Sequence, residues 1–333
     1  MSNLEQRPAE LIADCTADAP PESGGHAVKA PLEILLPREV PLGGPRAMTV
    51  HRTLPQRQRS TIGAWCFLDH YGPDDVSATG GMRVPPHPHT GLQTVSWLFA
   101  GEIQHNDSVG TSALVRPGEL NLMTAGRGIS HSEVSTPGTT TLHGAQLWLA
   151  LPDADRNMLP FFEHTVPVPF AFADATVRVF IGELAGVAAP ASVFSPLLGA
   201  QLELPAGASV DLPLDEMFEH GILVDLGAVT VNGERLDRRQ LGYLGQGRDS
   251  VRVQATTDAR LLLLGGIPLG EQLVMWWNFI GRGHNEVVGF RDVWQHDVIG
   301  EADAHGRFGH VAGYDGRPLP APELPTVRLK PRH

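Results

Sequence analysis

Two short segments of this chain carry donor atoms at a spacing suited to metal chemistry. Residues 81–89 read Gly-Met-Arg-Val-Pro-Pro-His-Pro-His, which sets His87 and His89 two positions apart. Residues 126–133 read Gly-Arg-Gly-Ile-Ser-His-Ser-Glu, which does the same for His131 and Glu133. In extended chain, side chains at i and i+2 leave the same face. Each segment is therefore a pincer, and two pincers on neighbouring strands can converge on one point inside a barrel. Three neutral imidazoles and one carboxylate suit Fe, Mn, Ni, Cu or Zn better than Mg or Ca. Around an octahedral ion such a set leaves positions open to solvent or substrate, whereas a closed zinc site more typically uses cysteines. His-x-His alone is common without a metal, so the second pincer carries the weight of the reading. Glu133 is the one carboxylate in the motif. Asp107 and Glu119 sit beside turn residues and are expected to face solvent.

Composition removes several other chemistries. The net charge of -12 argues against a sequence-independent grip on nucleic-acid phosphates. The basic residues include two lysines, Lys29 and Lys330, both near the ends. A Schiff-base or P-loop lysine therefore has no candidate in the body of the chain. Cys15 and Cys66 cannot build a disulfide framework, and they suit a reducing compartment. No signal-peptide pattern and no apolar run of membrane-spanning length is present, so a cytoplasmic protein without a membrane partner is expected.

The elements that must position the pincers read as strands. With 37 Gly and 28 Pro, turns are favoured over long helices. Leu92–Phe99 is rich in β-branched and aromatic residues, and Ala145–Leu151 alternates Leu147, Leu149 and Leu151 against Gln146 and Trp148. Strands at this spacing indicate a sandwich or barrel. A second β-rich region spans about 194–268. There Leu223–Val231 ends at Asn232-Gly233, a hairpin signal, and 241–244 and 261–264 supply further strands. The Pro- and Ala-rich stretch 167–200 is the expected boundary. Residues 1–30 read as an arm with a short helix around 9–17. The aromatic run Met275–Phe279 reads as core or domain interface. A helix capped by Asn285 follows, with Val287, Val288, Arg291 and Trp294 on one side. Residues 315–333 read as an extended Pro-rich tail.

Gly81, His87-x-His89, Gln93 and Gly101 together resemble the first cupin motif, and Pro117-Gly118 followed by His131 resembles the second. The block from His87 to Pro152, the upstream Gly63–Pro73, and the late segments 261–269 and 276–279 resemble the pirin family. The resemblance covers about residues 35–295. It implies an all-β fold of two cupin (double-stranded β-helix, jelly-roll) barrels with a short C-terminal helix. The implied division is an arm over 1–30, a metal-binding cupin domain over 31–180, a metal-free cupin-like domain over 190–295 and a tail over 296–333. It implies a single metal, Fe(II) first, with Ni, Mn, Co, Cu or Zn as alternatives, on His87, His89, His131 and Glu133. A general cupin carries Glu where this chain has Gln93, and parity from His87 points Gln93 into the cavity unless a bulge intervenes. The lone His220 of the second region reads as structural.

Two functions follow from the resemblance. One is a quercetin 2,3-dioxygenase-like enzyme that opens a flavonol ring with O2, with Glu133 as ligand and general base. The other is an iron-dependent, redox-responsive binding module, a transcriptional co-regulator acting through a protein partner. A fold and a metal do not choose between them.

Overall fold

The structure, a computed structural model, describes residues 11–14, 31–42 and 48–329. Two β-barrels lie back to back. In the first, a seven-stranded sheet runs in the order Phe161–Thr165, Leu120–Thr124, Leu92–Ala100, Thr141–Ala150, Trp65–Asp75, Met48–Leu54, Arg38–Leu42. Facing it, a four-stranded sheet runs Arg83–His89, Ile129–Ser135, Ile103–Asp107, Ser112–Val115. The second barrel pairs a larger sheet with the four strands Ser209–Pro213, Ser250–Ala255, Ala228–Val231 and Glu234–Asp237. Strands Glu33–Leu35 and Ala175–Leu184 hydrogen-bond into that larger sheet, so the early segment 33–35 reaches across to the second barrel.

The two large sheets pack face to face, which explains why Ala145–Leu151 is buried on both sides despite its alternation. Trp65, Val95, Trp97, Leu147 and Leu149 meet Phe180, Leu223, Leu241, Leu262 and Leu264 in one apolar layer. Burying each such side chain contributes roughly 1.5–3 kcal/mol. Trp97 stacks on Phe180 with centroids 4.5 Å apart, and its indole N–H donates to Gln201 Oε1 at 2.8 Å. The one polar atom of the Trp97 ring is thereby satisfied across the interface.

Local signals translate as expected where they depend on turns. Asn232 and Gly233 adopt φ 51° and 89°, the left-handed pair a two-residue hairpin requires. The run 223–231 is divided, however: Gly227, at φ 76°, separates Glu219–Leu226 from Ala228–Val231. The helix spans His284–Val293 and is preceded by the extended Gly283, not capped by Asn285. Its buried face is Val287, Phe290 and Trp294, and it runs into one π-helical turn, Trp294–Ile299. Leu11–Asp14 is a strand paired with Gln272–Met275, where a helix over 9–17 was expected; those four residues complete a sheet edge. The rest of the arm lies outside the described residues.

The C-terminal segment closes over the first barrel. Trp276, Trp277, Phe279, Val287, Phe290, Trp294 and Phe308 form one cluster, which places the 275–279 run in a core. The Pro-rich tail is irregular but not detached. Leu319 N donates to Pro86 O at 2.9 Å, and Trp294 Nε1 donates to Leu319 O at 2.8 Å.

Candidate metal centre

Strands Arg83–His89 and Ile129–Ser135 are antiparallel neighbours, with His131 opposite His87 and Ile129 opposite His89. The register slips between His131 and Glu133, so Glu133 faces Val84. On its other side the strand pairs with Ile103–Asp107, setting Glu133 opposite His105 and His131 opposite Asp107. The strand pairing sets the two predicted pincers side by side, with a third i, i+2 pair, His105 and Asp107, next to them.

His87, His89 and His131 present ring nitrogens all within 4.8 Å of one another, and a second grouping of the same kind joins His105, His131 and Glu133. The predicted residues thus occur as two overlapping triads that share His131. All of these side chains are buried. Ser96 Oγ lies 3.3 Å from Glu133 Oε1 and 2.9 Å from Gln146 Oε1. Trp148 sets its ring edge-on to His89 at 5.1 Å and stacks on Phe67 at 4.0 Å, forming an apolar wall.

The hydrogen bonds determine which nitrogens carry protons. His87 Nδ1 lies 2.8 Å from Pro85 O, and His89 Nδ1 lies 3.1 Å from Asn278 O. A carbonyl only accepts, so both Nδ1 atoms are protonated and both Nε2 atoms keep a lone pair. His131 Nδ1 lies 3.3 Å from His105 Nδ1, and His105 Nε2 lies 3.3 Å from Asp107 Oδ2. With Asp107 accepting, His105 donates through Nε2 and receives the His131 proton at Nδ1, so His131 Nε2 is bare as well. His89 Nε2 and His131 Nε2 are only 3.2 Å apart, and His87 Nε2 has no hydrogen-bond partner. Lone pairs converging in a buried site are the arrangement that fits a bound cation. Burial pushes the His87 imidazole down to about 4, against the pull of the Pro85 carbonyl. Burial and the neighbouring His87 hold His89 and His131 well below the ordinary value. The imidazoles are neutral at pH 7, and the donor set fits a divalent transition ion.

A second histidine cluster fails the same test. His70 Nε2 and His143 Nε2 lie 2.6 and 2.5 Å from Asp225 Oδ1, while Arg260 Nε donates to Asp225 Oδ2 at 2.5 Å. His143 Nδ1 accepts from Arg260 at 3.4 Å, which requires the proton on Nε2. Metal ligation through Nε2 would turn that contact donor to donor. This cluster is a hydrogen-bonded tie between the barrels. Burial drives the Asp225 carboxyl up, but the His143 and His70 hydrogen bonds outweigh it and leave the group below its usual range.

Several expectations need correction. Asp107 is buried, and its Oδ1 accepts from Val109 N at 3.0 Å and Thr111 N at 2.9 Å, because the turn folds inward over it. Glu119 is half-buried beside His164 at 3.5 Å. Gln93 points away from the imidazoles: its Nε2 donates to Thr124 Oγ1 at 2.9 Å and to Ser192 O at 3.1 Å. The reason is Gly91, at φ 68°, in the tight turn after His89. The turn moves the chain to the opposite sheet and resets its alternation, so Ser96 faces the site instead. His220 is buried with neither ring nitrogen hydrogen-bonded, and it joins no grouping of metal-type donors among the described residues. His105 and Asn278 were not singled out from sequence. His105-x-Asp107 repeats the pincer spacing and was legible; the Asn278 backbone contact was not.

Residues 47–149 match the family described as Pirin, and residues 199–299 match the Pirin C-terminal cupin domain. A Pseudomonas aeruginosa protein named "Putative quercetin 2,3-dioxygenase" is 43% identical over 328 residues, 98% of each chain. A "Pirin-like protein" of Caulobacter vibrioides is 34% identical over 270 residues, 78% of this chain and 92% of its own. The crystal structure of a quercetin 2,3-dioxygenase from Acinetobacter baumannii superposes with a TM-score of 0.83 at 37% identity, covering 90% of this chain and 98% of that one. Paired cupin barrels, the imidazole cluster between two sheets of the first, and these matches agree: this chain belongs to the pirin family.

Proposed function

We propose that this protein is a mononuclear metal-dependent dioxygenase acting on flavonols such as quercetin with O2. The observation that carries the proposal is the convergence of three buried, unprotonated Nε2 atoms from His87, His89 and His131. Glu133 supplies the carboxylate of the proposed four-residue set, and Fe(II) is the first candidate ion, ahead of Ni, Mn, Co, Cu and Zn. Bound there, such an ion supplies Lewis acidity toward the substrate's hydroxyl oxygen and a route for reaction with O2. The relatives named for quercetin 2,3-dioxygenase, similar over nearly the whole chain, support the substrate class.

The chain's own residues have separable tasks. Pro85 O, Asn278 O and the His105–Asp107 pair hold the imidazole tautomers. Trp148, backed by Phe67, packs edge-on against His89 and holds that imidazole in place. Glu133 takes the proton of the flavonol hydroxyl, and its buried position keeps bulk water from competing for that proton. We further propose a cytoplasmic location and that the chemistry resides in the first barrel alone.

The test is O2 uptake with quercetin by protein loaded separately with Fe(II), Ni, Co, Mn and Cu. Glu133→Gln keeps an oxygen at the site but removes the base, and turnover should fall roughly 10²–10⁴-fold while some metal stays bound. Absence of uptake with every metal would transfer the reading to a redox-responsive binding module.

A further inference from the structure

A cleft of about 440 Å³ opens on the same barrel, between the turn at Ser108 and Val109, the Arg127-Gly128 turn and the C-terminal segment 304–310. Arg127, His305, Arg307 and His310 line it, and among the described residues no Asp or Glu does. On a chain of net charge -12 this concentration of basic side chains stands apart. All four are exposed. Among the described residues, the Arg127 guanidinium has no ion-pair or hydrogen-bond partner. The Arg307 guanidinium donates only to the carbonyl of Arg127, at 3.0 Å. Asp303 and Asp297 approach the segment at Gly306, where Asp303 Oδ1 accepts from His305 N at 2.9 Å and Asp297 Oδ1 lies 2.8 Å from His296 Nδ1.

The cleft is also shaped in advance. The Arg307 guanidinium carbon lies over the Phe290 ring at 5.1 Å, a cation–π contact that consumes none of its N–H donors. Gly128 leaves room for the Arg307 stem, since a Cβ there would come within 2.6 Å of Arg307 Cγ. Val109, Pro160 and Ala304 add apolar surface beside the charges. The floor is tied to the strand that carries His131: Ser130 Oγ donates to Phe308 O at 2.8 Å, and Ser130 N donates to Ser108 Oγ at 3.1 Å.

We propose that this cleft is a binding site for a small organic oxyanion, a carboxylate or a phosphate group, gripped between Arg127 and Arg307. Planar guanidinium forks match both groups through paired N–H···O bonds, and two forks facing one cleft outcompete the scattered arginines elsewhere. The apolar walls take the carbon skeleton. The site is separate from the imidazole cluster, so the proposal does not rest on flavonol chemistry.

The test titrates full-length, metal-loaded protein with inorganic phosphate and, separately, with benzoate, followed by amide shifts or calorimetry. Either anion should saturate one site, with the shifted amides clustered at 108–109, 127–128 and 304–310. Arg127→Gln and Arg307→Gln should each weaken binding roughly tenfold, and the double variant should lose it. Arg127→Lys should weaken it less than Arg127→Gln, because charge remains without the fork. Arg127→Gln should leave the melting temperature unchanged, whereas Arg307→Gln loses its contacts with Phe290 and Arg127 O and should lower it slightly. The tighter of the two anions identifies the group recognised. Absence of saturation with both anions, or equal affinity in the double variant, would overturn the proposal. Glu133→Gln should bind the same anion unchanged, which separates this site's failure from failure of the dioxygenase reading.

Discussion

His105 stands with its Nδ1 3.3 Å from Nδ1 of His131, and its other nitrogen 3.3 Å from the Asp107 carboxylate. A carboxylate–imidazole–imidazole chain thus ends at the bare Nε2 of His131. Such outer partners fix the tautomer and basicity of a ligand, and losing one typically costs roughly 10–100-fold in metal affinity. His105→Phe preserves the ring contact with Phe162, whose centroid is 4.9 Å away, while removing both nitrogens. Competition with a chromogenic chelator should show affinity falling within that range with the far-UV spectrum unchanged. An unchanged affinity would remove His105 from the site.

The tie between the barrels should respond differently. Asp225 is fully buried and joins His70, His143 and Arg260, whose side chain is 21% exposed. Removing one partner of a buried ionic cluster costs roughly 3–5 kcal/mol, and the partial exposure of Arg260 places Asp225→Ala near the lower end. Urea unfolding should report that loss, while metal content per chain stays at the wild-type value. Loss of metal would contradict the tautomer argument that distinguishes the two histidine clusters.

Stability of the metal-free protein should depend on pH between about 4 and 6.5. Burial lowers His87 and His220 to about 4 in the folded chain, against an ordinary value of 6.5. Within that window the unfolded chain binds protons that the folded chain refuses. The contribution is therefore complete above 6.5 and declines as pH falls toward 4, by roughly 1.4 kcal/mol per pH unit and per site. Denaturant midpoints of apoprotein at pH 7 and pH 5 measure the slope. His220→Phe should shallow it without touching metal binding.

Gly91 is a further point of sensitivity. Its φ is 68°, and a Cβ there would lie 2.6 Å from Ile280 O, in the hairpin that also presents Asn278 O to His89. The left-handed conformation alone costs an L-residue roughly 1–2 kcal/mol. Gly91→Ala should therefore lose at least about 2 kcal/mol by chemical denaturation and weaken metal retention at the same time. A loss of stability with metal retention intact would mean that the turn and the site are uncoupled.

Much of this protein was legible in its residues because the signals are local. Period-two spacing placed His87 with His89 and His131 with Glu133 on common faces, and a two-residue hairpin followed from Asn232-Gly233. The motifs between Gly81 and Pro152 carried the family, and with it the paired barrels. The tertiary structure decided what no short window contains. His105 and Asp107 enter the site because a third strand pairs beside His131. Asn278 reaches His89 across 189 positions. Gln93 leaves the site because one glycine turn reverses the alternation after His89. Asp225 joins His70 and His143 only where two sheets meet. Side-chain alternation is a property of one strand, whereas the neighbour a strand acquires depends on contacts between distant segments. The pincers could therefore be read from the chain, but the residues that hold their protons in place required the fold.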